Sequence, residues 1–551
     1  MSVLKKNAPV NHPLRSDIYL VIVWLLIAIG IFLRLFHYFD NRSLWEDEVY
    51  LSTGIDRLSF TQLFHQALDF QQKAPIGYLL VVKLFTMLFG PREMGLRFFP
   101  VVCGIASLFV FLPVARKYLD NLGLIVAIGI LALGPPLVYH AVEAKQYGVE
   151  LFGTILLLYT YIRYSNKSDW RSLLVWGFWG AAIAWFSYSS VFIMAGIALT
   201  MGLRCLIEKR WAMLPKLIVL FALWFGSFAV NYIIFTQKDA HTGWLVDFFV
   251  QHDAFLPIST KAFGWLATHF VGFFNYPLGL SWAVVYKHGA FYQLLYRVAW
   301  VPMIFSILGV YYLWKHNRWL LLLIFGTFLI VLAASVVKLY PFHERLTVFL
   351  APLTILLLAS GCEVIFTDRH FNKVVRWALM LILLIGPIKN SFAEVLNTGL
   401  FGDYKKSYHR EAFLYLNNHF QPGDTVYVSW DDLPAWHLYK KLYPLKYTAK
   451  EGTDFRYTTH NFPEYFTKMD SELKPFMGKK RVWIVSNNNF DIEIGDYVGQ
   501  PKWYYVNGAD GGVKQFDKWL LSKGKVIESY KPNDPDIVSN ISVRLMDLSG
   551  K

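Results

Sequence analysis

Tyr19 to Phe36 and, a few residues on, Ser43-Leu44-Trp45-Glu46-Asp47-Glu48-Val49-Tyr50 decide the fold of this chain. The first run is apolar and long enough for one helix to cross a bilayer, which takes roughly 17–25 such residues. The second places three carboxylates at the membrane–water boundary, beside a tryptophan of the kind that anchors there. Ionisable groups held close to a bilayer are costly, which makes them candidates for function. A structural role competes: Ser43-x-x-Glu46 has capping-box spacing, and acids in a first helical turn complement the helix dipole.

Composition sets the class. Of 551 residues, 55% are hydrophobic, 18% aromatic and only 17% charged, against about 25% charged in soluble domains. This is the profile of a membrane protein with some water-exposed mass. The net charge of +14 is spread over short Lys/Arg clusters between apolar segments. Such clusters mark topology and lipid headgroup contact rather than a nucleic-acid groove. Cys103, Cys205 and Cys362 lie in or beside apolar segments and suggest neither a disulfide framework nor a thiolate metal site. The first apolar run lacks a small-residue cleavage site and reads as an uncleaved first span.

Eleven spans are expected, near 18–36, 97–115, 122–139, 147–164, 172–188, 190–207, 214–235, 297–314, 319–338, 346–366 and 373–389. Pro75 to Gly90 is shorter and carries Lys83, so it is expected to lie in the interface. With the N-terminus inside, every inner loop is basic: Arg116-Lys117, Arg163 to Arg171, Arg204 to Lys216, Lys315 to Arg318, Arg369 to Arg376. The outer face then receives residues 37–96, the Glu143-to-Tyr147 turn, residues 236–296, and Lys338 to Arg345. The membrane part is expected over residues 1–391. From 392 to 551 the apolar runs shorten and helical patterns alternate with strands (Thr425 to Trp430, Arg481 to Ser486, Lys525 to Tyr530, Ile541 to Leu548). That pattern predicts a small outer α/β domain.

The outer pieces bring chemistry to one membrane depth. Asp47 and Glu48 are followed by Gln71-Gln72-Lys73-Ala74-Pro75; the second turn adds His140, Glu143, Lys145, Gln146 and Tyr147; the last adds Lys338, Tyr340, His343, Glu344 and Arg345. Cations at a bilayer surface can hold a lipid phosphate leaving group while a carboxylate takes a proton from an incoming hydroxyl. Lys73 could instead snorkel, Arg345 could anchor on headgroups, and His140 and His343 could be hydrogen-bonded interface residues.

In order and spacing these pieces resemble the GT-C glycosyltransferases, in particular the group containing the protein O-mannosyltransferases and the lipid A aminoarabinose transferase. The resemblance is carried by Trp45-Glu46-Asp47-Glu48, Lys73-Ala74-Pro75, Phe89-Gly90, Arg97-Phe98-Phe99-Pro100, Pro136 with Glu143-Ala144-Lys145-Gln146-Tyr147, and Arg345 with Pro352. It implies that Asp47, beside Glu48, is the catalytic base and that Lys73 and Arg345, with Lys145, bind donor phosphate. Glu143, Tyr147 and His343 are further candidates. Two departures stand out: Ala74 replaces the first proline of a double proline, and Lys145 stands where many members carry arginine. Lysine holds phosphate only as a point charge.

The resulting expectation is a polytopic α-helical membrane glycosyltransferase, in a bacterial inner membrane with its site facing outward. Its donor would be a sugar on a polyprenyl phosphate, and its acceptor a hydroxyl on a cell-surface glycan, a lipid or a protein. Membrane lipids are partners and nucleic acid is not. No cofactor is implied; the acidic pair leaves room for a divalent metal, although no His/Cys/carboxylate cage spacing is present. The rival reading is a transporter or flippase without transferase activity, against which stand charges gathered on one face and the lack of an inverted repeat.

Overall fold

The computed structural model describes residues 17–236, 243–280, 300–367, 372–403, 405–487, 501–505, 511–531 and 541–550. The polar N-terminus, residues 237–242 and 281–296 of the expected outer segment, and part of the Arg369 loop lie outside the described residues.

The first helix, α1 (Asp17–Asp40), is followed by α2 (Glu46–Arg57), α3 (Phe60–His65), α4 (Ile76–Phe89), α5 (Glu93–Tyr118), α6 (Asn121–Leu133), α7 (Pro135–Ala141) and α8 (Tyr147–Tyr164). Then come α9 (Trp170–Ile183), α10 (Ser190–Ile207), α11 (Leu214–Asn231), α12 (Gly243–Gln251), α13 (Ala262–Asn275), α14 (Trp300–His316), α15 (Arg318–Val336), α16 (Ala351–Thr367) and α17 (Lys373–Leu396). Among the described residues seven helices are long and apolar enough to cross a membrane, or eight counting one bent pair. The expectation of eleven is therefore corrected. The segment 147–164 forms a helix, but Tyr147, Tyr159, Tyr161, Tyr164, Glu150 and Arg163 make it too polar. The helices over 172–188 and 297–314 are shorter, 14 and 17 residues. The segment expected in the interface forms helix α4, whose 14 residues extend about 21 Å, short of the ~30 Å hydrocarbon core.

The segment 122–139 is not one helix but two, α6 and α7, bent by 53°. The sequence explains the break. Pro135 and Pro136 have no N–H to give to the carbonyls of Leu131 and Ala132, four residues back. Arg34 of α1, fully buried, supplies the missing donors: Nη2 to Leu131 O at 2.9 Å and Nη1 to Ala132 O at 3.1 Å. Ser391 Oγ donates to Leu133 O at 2.7 Å. The broken helix is thus closed by side chains from two other helices, and α7 leads the chain into the turn before α8. Elsewhere in the bundle, α14 and α16 touch backbone to backbone. A Cβ at Gly309 or Gly361 would collide with the Leu357 or Phe305 carbonyl oxygen, the close approach that small residues permit in membrane helix pairs.

The basic ends of the helices gather at one end of the bundle. Arg116 and Lys117 close α5, Arg163 closes α8, Arg204 closes α10, and Lys315 closes α14. Arg204 donates to Asn166 at 3.2 Å and lies over the Trp319 ring, and Asp120 N donates to Glu363 of α16 at 2.9 Å. The first turns of α2, α5 and α8 lie at the opposite end.

That opposite end carries the α/β domain. Helix α18 (His409–His419) leads into β1 (Thr425–Val428), α19 (Leu433–Leu442), β2 (Ala449–Glu451), α20 (Phe462–Leu473), β3 (Val482–Asn487), α21 (Gly512–Lys523), β4 (Lys525–Ser529) and β5 (Ile541–Asp547). The sheet order is β2-β1-β3-β5-β4. β1 pairs in parallel with β2 and β3, and β5 pairs antiparallel with β3 and β4. The four expected strands are present, with β2 added and helices between them.

The domain docks on the first outer loop. Tyr439 OH lies 3.0 Å from Ser43 Oγ and accepts from Leu44 N at 2.9 Å, and Arg410 N donates to Ser43 Oγ at 3.1 Å. Arg410 also pairs with buried Glu93 at 3.2 Å, and Tyr443 OH donates to the same carboxylate at 2.9 Å. Ser43 is thereby taken from the capping role its spacing suggests. The cap of α2 is Trp45, with Glu48 at the third helical position accepting from Trp45 N at 3.2 Å.

Replacing Arg34 tests the break. Arg34→Leu leaves two buried carbonyls unpaired, at about 1–3 kcal/mol each. Thermal melting in detergent is expected to show a destabilisation of ~3 kcal/mol, and unchanged melting would show that water closes the break equally well.

Candidate active site

Four pieces of chain far apart in sequence meet above the helix bundle: α2, the turn 142–146 between α7 and α8, the stretch 72–75, and residues 343–345. Glu48, in the first turn of α2, ties them together. Its carboxylate is fully buried and accepts from Arg97 Nε (2.9 Å) and Nη2 (2.8 Å), Arg42 Nη1 (2.8 Å) and Ala144 N (2.7 Å). Burial alone would raise its pKa, but Arg42 and Arg97 outweigh that and hold it down at about 2. A buried carboxylate is stable only when saturated in this way. The expected second reactive carboxylate is thus enclosed on every side.

Asp47 differs. Its side chain is 19% exposed, and it pairs with Arg345 Nη1 at 2.8 Å, whose side chain is 20% exposed. Burial pushes its pKa up, while Arg345, then Lys145 and Lys405, prevail and hold it below the ordinary carboxylate range. Arg345 also lies over the Trp45 ring at 5.7 Å.

The turn 142–146 is pinned against residues 72–74. Lys145, 4% exposed, donates to Gln72 Oε1, and Gln146 Nε2 donates to the carbonyl of Lys73 at 3.2 Å. Tyr188 OH donates to the Ala74 carbonyl at 2.9 Å. Lys73 is therefore anchored by its backbone beside Lys145. Burial lowers the Lys145 pKa, countered first by Asp47.

Glu143 is fully buried and accepts from Trp45 Nε1 at 3.1 Å, and its Oε2 lies 2.7 Å from His140 Nδ1. The other ring nitrogen of His140 bonds to Tyr276 OH, and the Tyr147 ring packs edge-on against the imidazole. Lys405, buried, completes the cluster. It approaches Tyr276 OH at 3.5 Å and pairs with Glu344 Oε2 at 3.4 Å. Glu344 has φ 29, a strained backbone for a residue with a side chain, of the kind held at functional sites. His343 turns elsewhere: its ring packs on Phe249 and His252, and burial lowers its pKa to about 4.

The structure thus brings Asp47, Arg345, Lys145, Glu143 and Tyr147 together around the clamp at Glu48. Sequence reasoning missed Lys405, which follows the last span in Lys405-Lys406 and reads there as one more basic pair. It also missed the clamping role of Arg42 and Arg97. Among the described residues no three His, Cys, Asp or Glu side chains are placed to hold a metal ion, and Asp47 and Glu48 each face guanidinium groups instead.

Comparison with known proteins bears on the fold. The family model described as dolichyl-phosphate-mannose-protein mannosyltransferase matches residues 73–229. No match is found among curated proteins. Among solved structures, the chain resembles ArnT from Cupriavidus metallidurans in the apo state, at 12% identity and a TM-score of 0.50, covering 96% of this chain and 98% of that one. ArnT bound to undecaprenyl phosphate gives 11% identity, a TM-score of 0.50 and the same coverage. The archaeal oligosaccharyltransferase AglB from Archaeoglobus fulgidus gives 12% identity and a TM-score of 0.47 over 98% of this chain and 77% of that one. The likeness to ArnT, over nearly the full length of both chains, establishes a GT-C-type fold: a polytopic helical membrane part with a C-terminal α/β domain.

Removing the clamp has a defined cost. Glu48→Gln leaves Arg42 and Arg97 buried without a counter-charge, and breaking such a pair costs about 3–5 kcal/mol. The sign with pH follows from the depressed pKa. The Glu48 contribution is full above its ordinary value of 4.5 and is lost as pH falls toward about 2. Melting temperature against pH is expected to fall through that acid window in the wild type, with the Glu48 share of the fall absent in Glu48→Gln.

Proposed function

We propose that the chain is an integral membrane glycosyltransferase that moves a sugar from a polyprenyl-phosphate donor to an acceptor hydroxyl. The observation that carries this reading is one partly exposed carboxylate, Asp47, set among Arg345, Lys145 and Lys405 beside a second carboxylate that is sealed. The family match over residues 73–229 and the fold shared with ArnT, solved with undecaprenyl phosphate, support the choice of donor.

In the resting site Arg345 is held by Asp47. A donor phosphate competes for Arg345 and is held with it by Lys145, Lys405 and Lys73, which releases Asp47 to act as a base. The acceptor O–H then gives its proton to the Asp47 carboxylate as its oxygen bonds to the anomeric carbon. The bond from that carbon to the phosphate oxygen breaks, and polyprenyl phosphate leaves with one more negative charge, neutralised by the same cations. Attack opposite the leaving group inverts the sugar carbon. Glu48 takes no proton; it holds α2 so that Asp47 points into the site. Glu143 orients Trp45 and, through it, the Arg345 guanidinium.

The site faces outward in this reading, because the basic helix ends sit at the opposite end of the bundle, and basic loops stay inside. A bacterial inner membrane is the proposed location. With the buried native cysteines removed, an impermeant thiol reagent on intact cells is expected to label Ala67→Cys and Ser471→Cys. Lys167→Cys and Lys209→Cys should stay unlabelled. The reverse pattern would turn the site inward.

Asp47→Asn keeps shape and removes charge and basicity. It is expected to bind donor lipid yet turn over at least ~10²-fold more slowly, the low end for loss of a general base. Arg345→Ala and Lys405→Ala are expected to weaken donor binding as well, by ~10-fold or more, since the donor carries its phosphate charge before reaction. Donor affinity and single-turnover transfer in nanodiscs measure both. Wild-type transfer by a folded Asp47→Asn protein would remove Asp47 from the chemistry.

A further inference from the structure

One chain of hydrogen bonds ties two cations of the site to a single histidine, and the transfer chemistry above gives that histidine no part. His140, near the end of α7, is fully buried with both ring nitrogens engaged: Nδ1 lies 2.7 Å from Glu143 Oε2, and Nε2 bonds to Tyr276 OH. In one direction the chain passes through Glu143, whose Oε1 accepts from Trp45 Nε1 at 3.1 Å, to the indole ring beneath Arg345. In the other it passes through Tyr276 to Lys405, whose Nζ lies 3.5 Å from the phenol oxygen and 4.5 Å from the centroid of its ring. Lys405 then meets Glu344 Oε2 at 3.4 Å.

The groups at its two ends fix the direction of the chain. An indole N–H and a lysine ammonium only donate, and a carboxylate only accepts. Trp45 and Lys405 stand at the ends, so the bonds point inward from both. Tyr276 O accepts from Lys405, and the phenol proton goes to His140 Nε2. Nδ1 then carries the imidazole proton and gives it to Glu143 Oε2. Each group is thus used in its proper sense by a neutral ring protonated at Nδ1. The other tautomer would turn a ring lone pair toward the Glu143 carboxylate, setting two acceptors 2.7 Å apart. His140, Glu143 and Lys405 are all buried, so bulk water does not readily replace a bond that is lost, and a broken link is costly.

Lysine holds phosphate as a point charge on a flexible stem, and fixing that stem costs rotamer freedom. In this chain the cost is met before a donor arrives. Tyr139 OH donates to the Lys405 carbonyl at 3.1 Å, and the Tyr276 phenol holds the amine. The phenol is aimed in turn by the histidine that takes its proton. Resting on the transferase reading above, we infer that His140 is a positioning residue for the donor phosphate: through Tyr276 it sets Lys405, and through Glu143 and Trp45 it backs Arg345. The two cations are thereby spaced by one connected set of bonds rather than by two independent side chains. A histidine that served packing alone would stabilise the fold without regard to whether Lys405 is present.

The test uses the full chain in nanodiscs, with undecaprenyl phosphate as the probe and folding checked by thermal melting. Tyr276→Phe removes one hydroxyl from a half-buried ring and is expected to weaken binding ~10-fold, in the range for a hydrogen bond to a charged group. In a Lys405→Ala background the same change is expected to cost less than about twofold, because the amine it positions is gone. In an Asp47→Asn background it keeps its full effect. His140→Leu removes the acceptor at Nε2 and is expected to follow the same pattern. His140→Gln, whose side-chain oxygen can accept from Tyr276, is expected to stay within about threefold of wild type. Should His140→Leu fail to fold, Tyr276→Phe and His140→Gln carry the comparison. Equal losses in the Lys405→Ala and Asp47→Asn backgrounds would show a role in the fold alone and overturn the inference, leaving the transferase reading standing. Wild-type affinity in a folded Tyr276→Phe protein does the same. A wild-type protein that does not bind undecaprenyl phosphate overturns both.

Discussion

A carboxylate sealed from water by two guanidinium groups and a backbone amide holds this site together. Glu48 gathers Arg42 from the first loop, Arg97 from α5 and the amide of Ala144 from the turn before α8. None of these groups could remain buried alone, since the desolvation of each is offset only by the others. The constraint fixes where α2 begins, and so fixes where Asp47 points. Two adjacent acids thus differ through their surroundings: one is a structural clamp, the other stays within reach of solvent and of Arg345.

The clamp depends in turn on how the chain is brought to it. The turn that supplies Ala144, Lys145 and Gln146 exists because α6 stops at two prolines and α7 sets off at an angle. Arg34 makes that interruption tolerable inside the bundle by donating to the carbonyls the prolines leave open. A charged residue in the first helix therefore serves the site without touching it. The break also sets His140 and Glu143 beneath Trp45, so that the aromatic ring under Arg345 is itself held from below.

Much of this was legible in the sequence. The acidic loop, the Lys145 turn and Arg345 each sit next to an apolar run, and their placement at one depth follows from helix length alone. The division between Asp47 and Glu48 was not legible, because it rests on Arg97, 49 positions further along the chain. Lys405 was missed because a basic pair after a span has the same appearance whether it meets lipid or turns inward. Counting apolar residues gave too many spans: α8 is largely buried within the protein, where tyrosines and a glutamate are tolerated, and α9 stops after Ile183. The cap at Ser43 went wrong for a similar reason, since Tyr439 and Arg410 claim its hydroxyl from the other end of the chain.

The docking of the last domain onto the first loop also imposes an order in time. Asp47 leaves the ribosome long before Lys405, His409, Arg410 and Tyr439. At about 5–20 residues per second, the interval between Asp47 and Tyr439 is roughly 20–80 s. Throughout that interval Ser43 and Glu93 wait without the partners that later cover them. A nascent chain already threaded into the bilayer therefore carries Asp47 and Arg345 before Lys405 joins them. The first outer loop is thus covered only once the α/β domain has been made, because Tyr439 and Arg410 supply its hydrogen bonds.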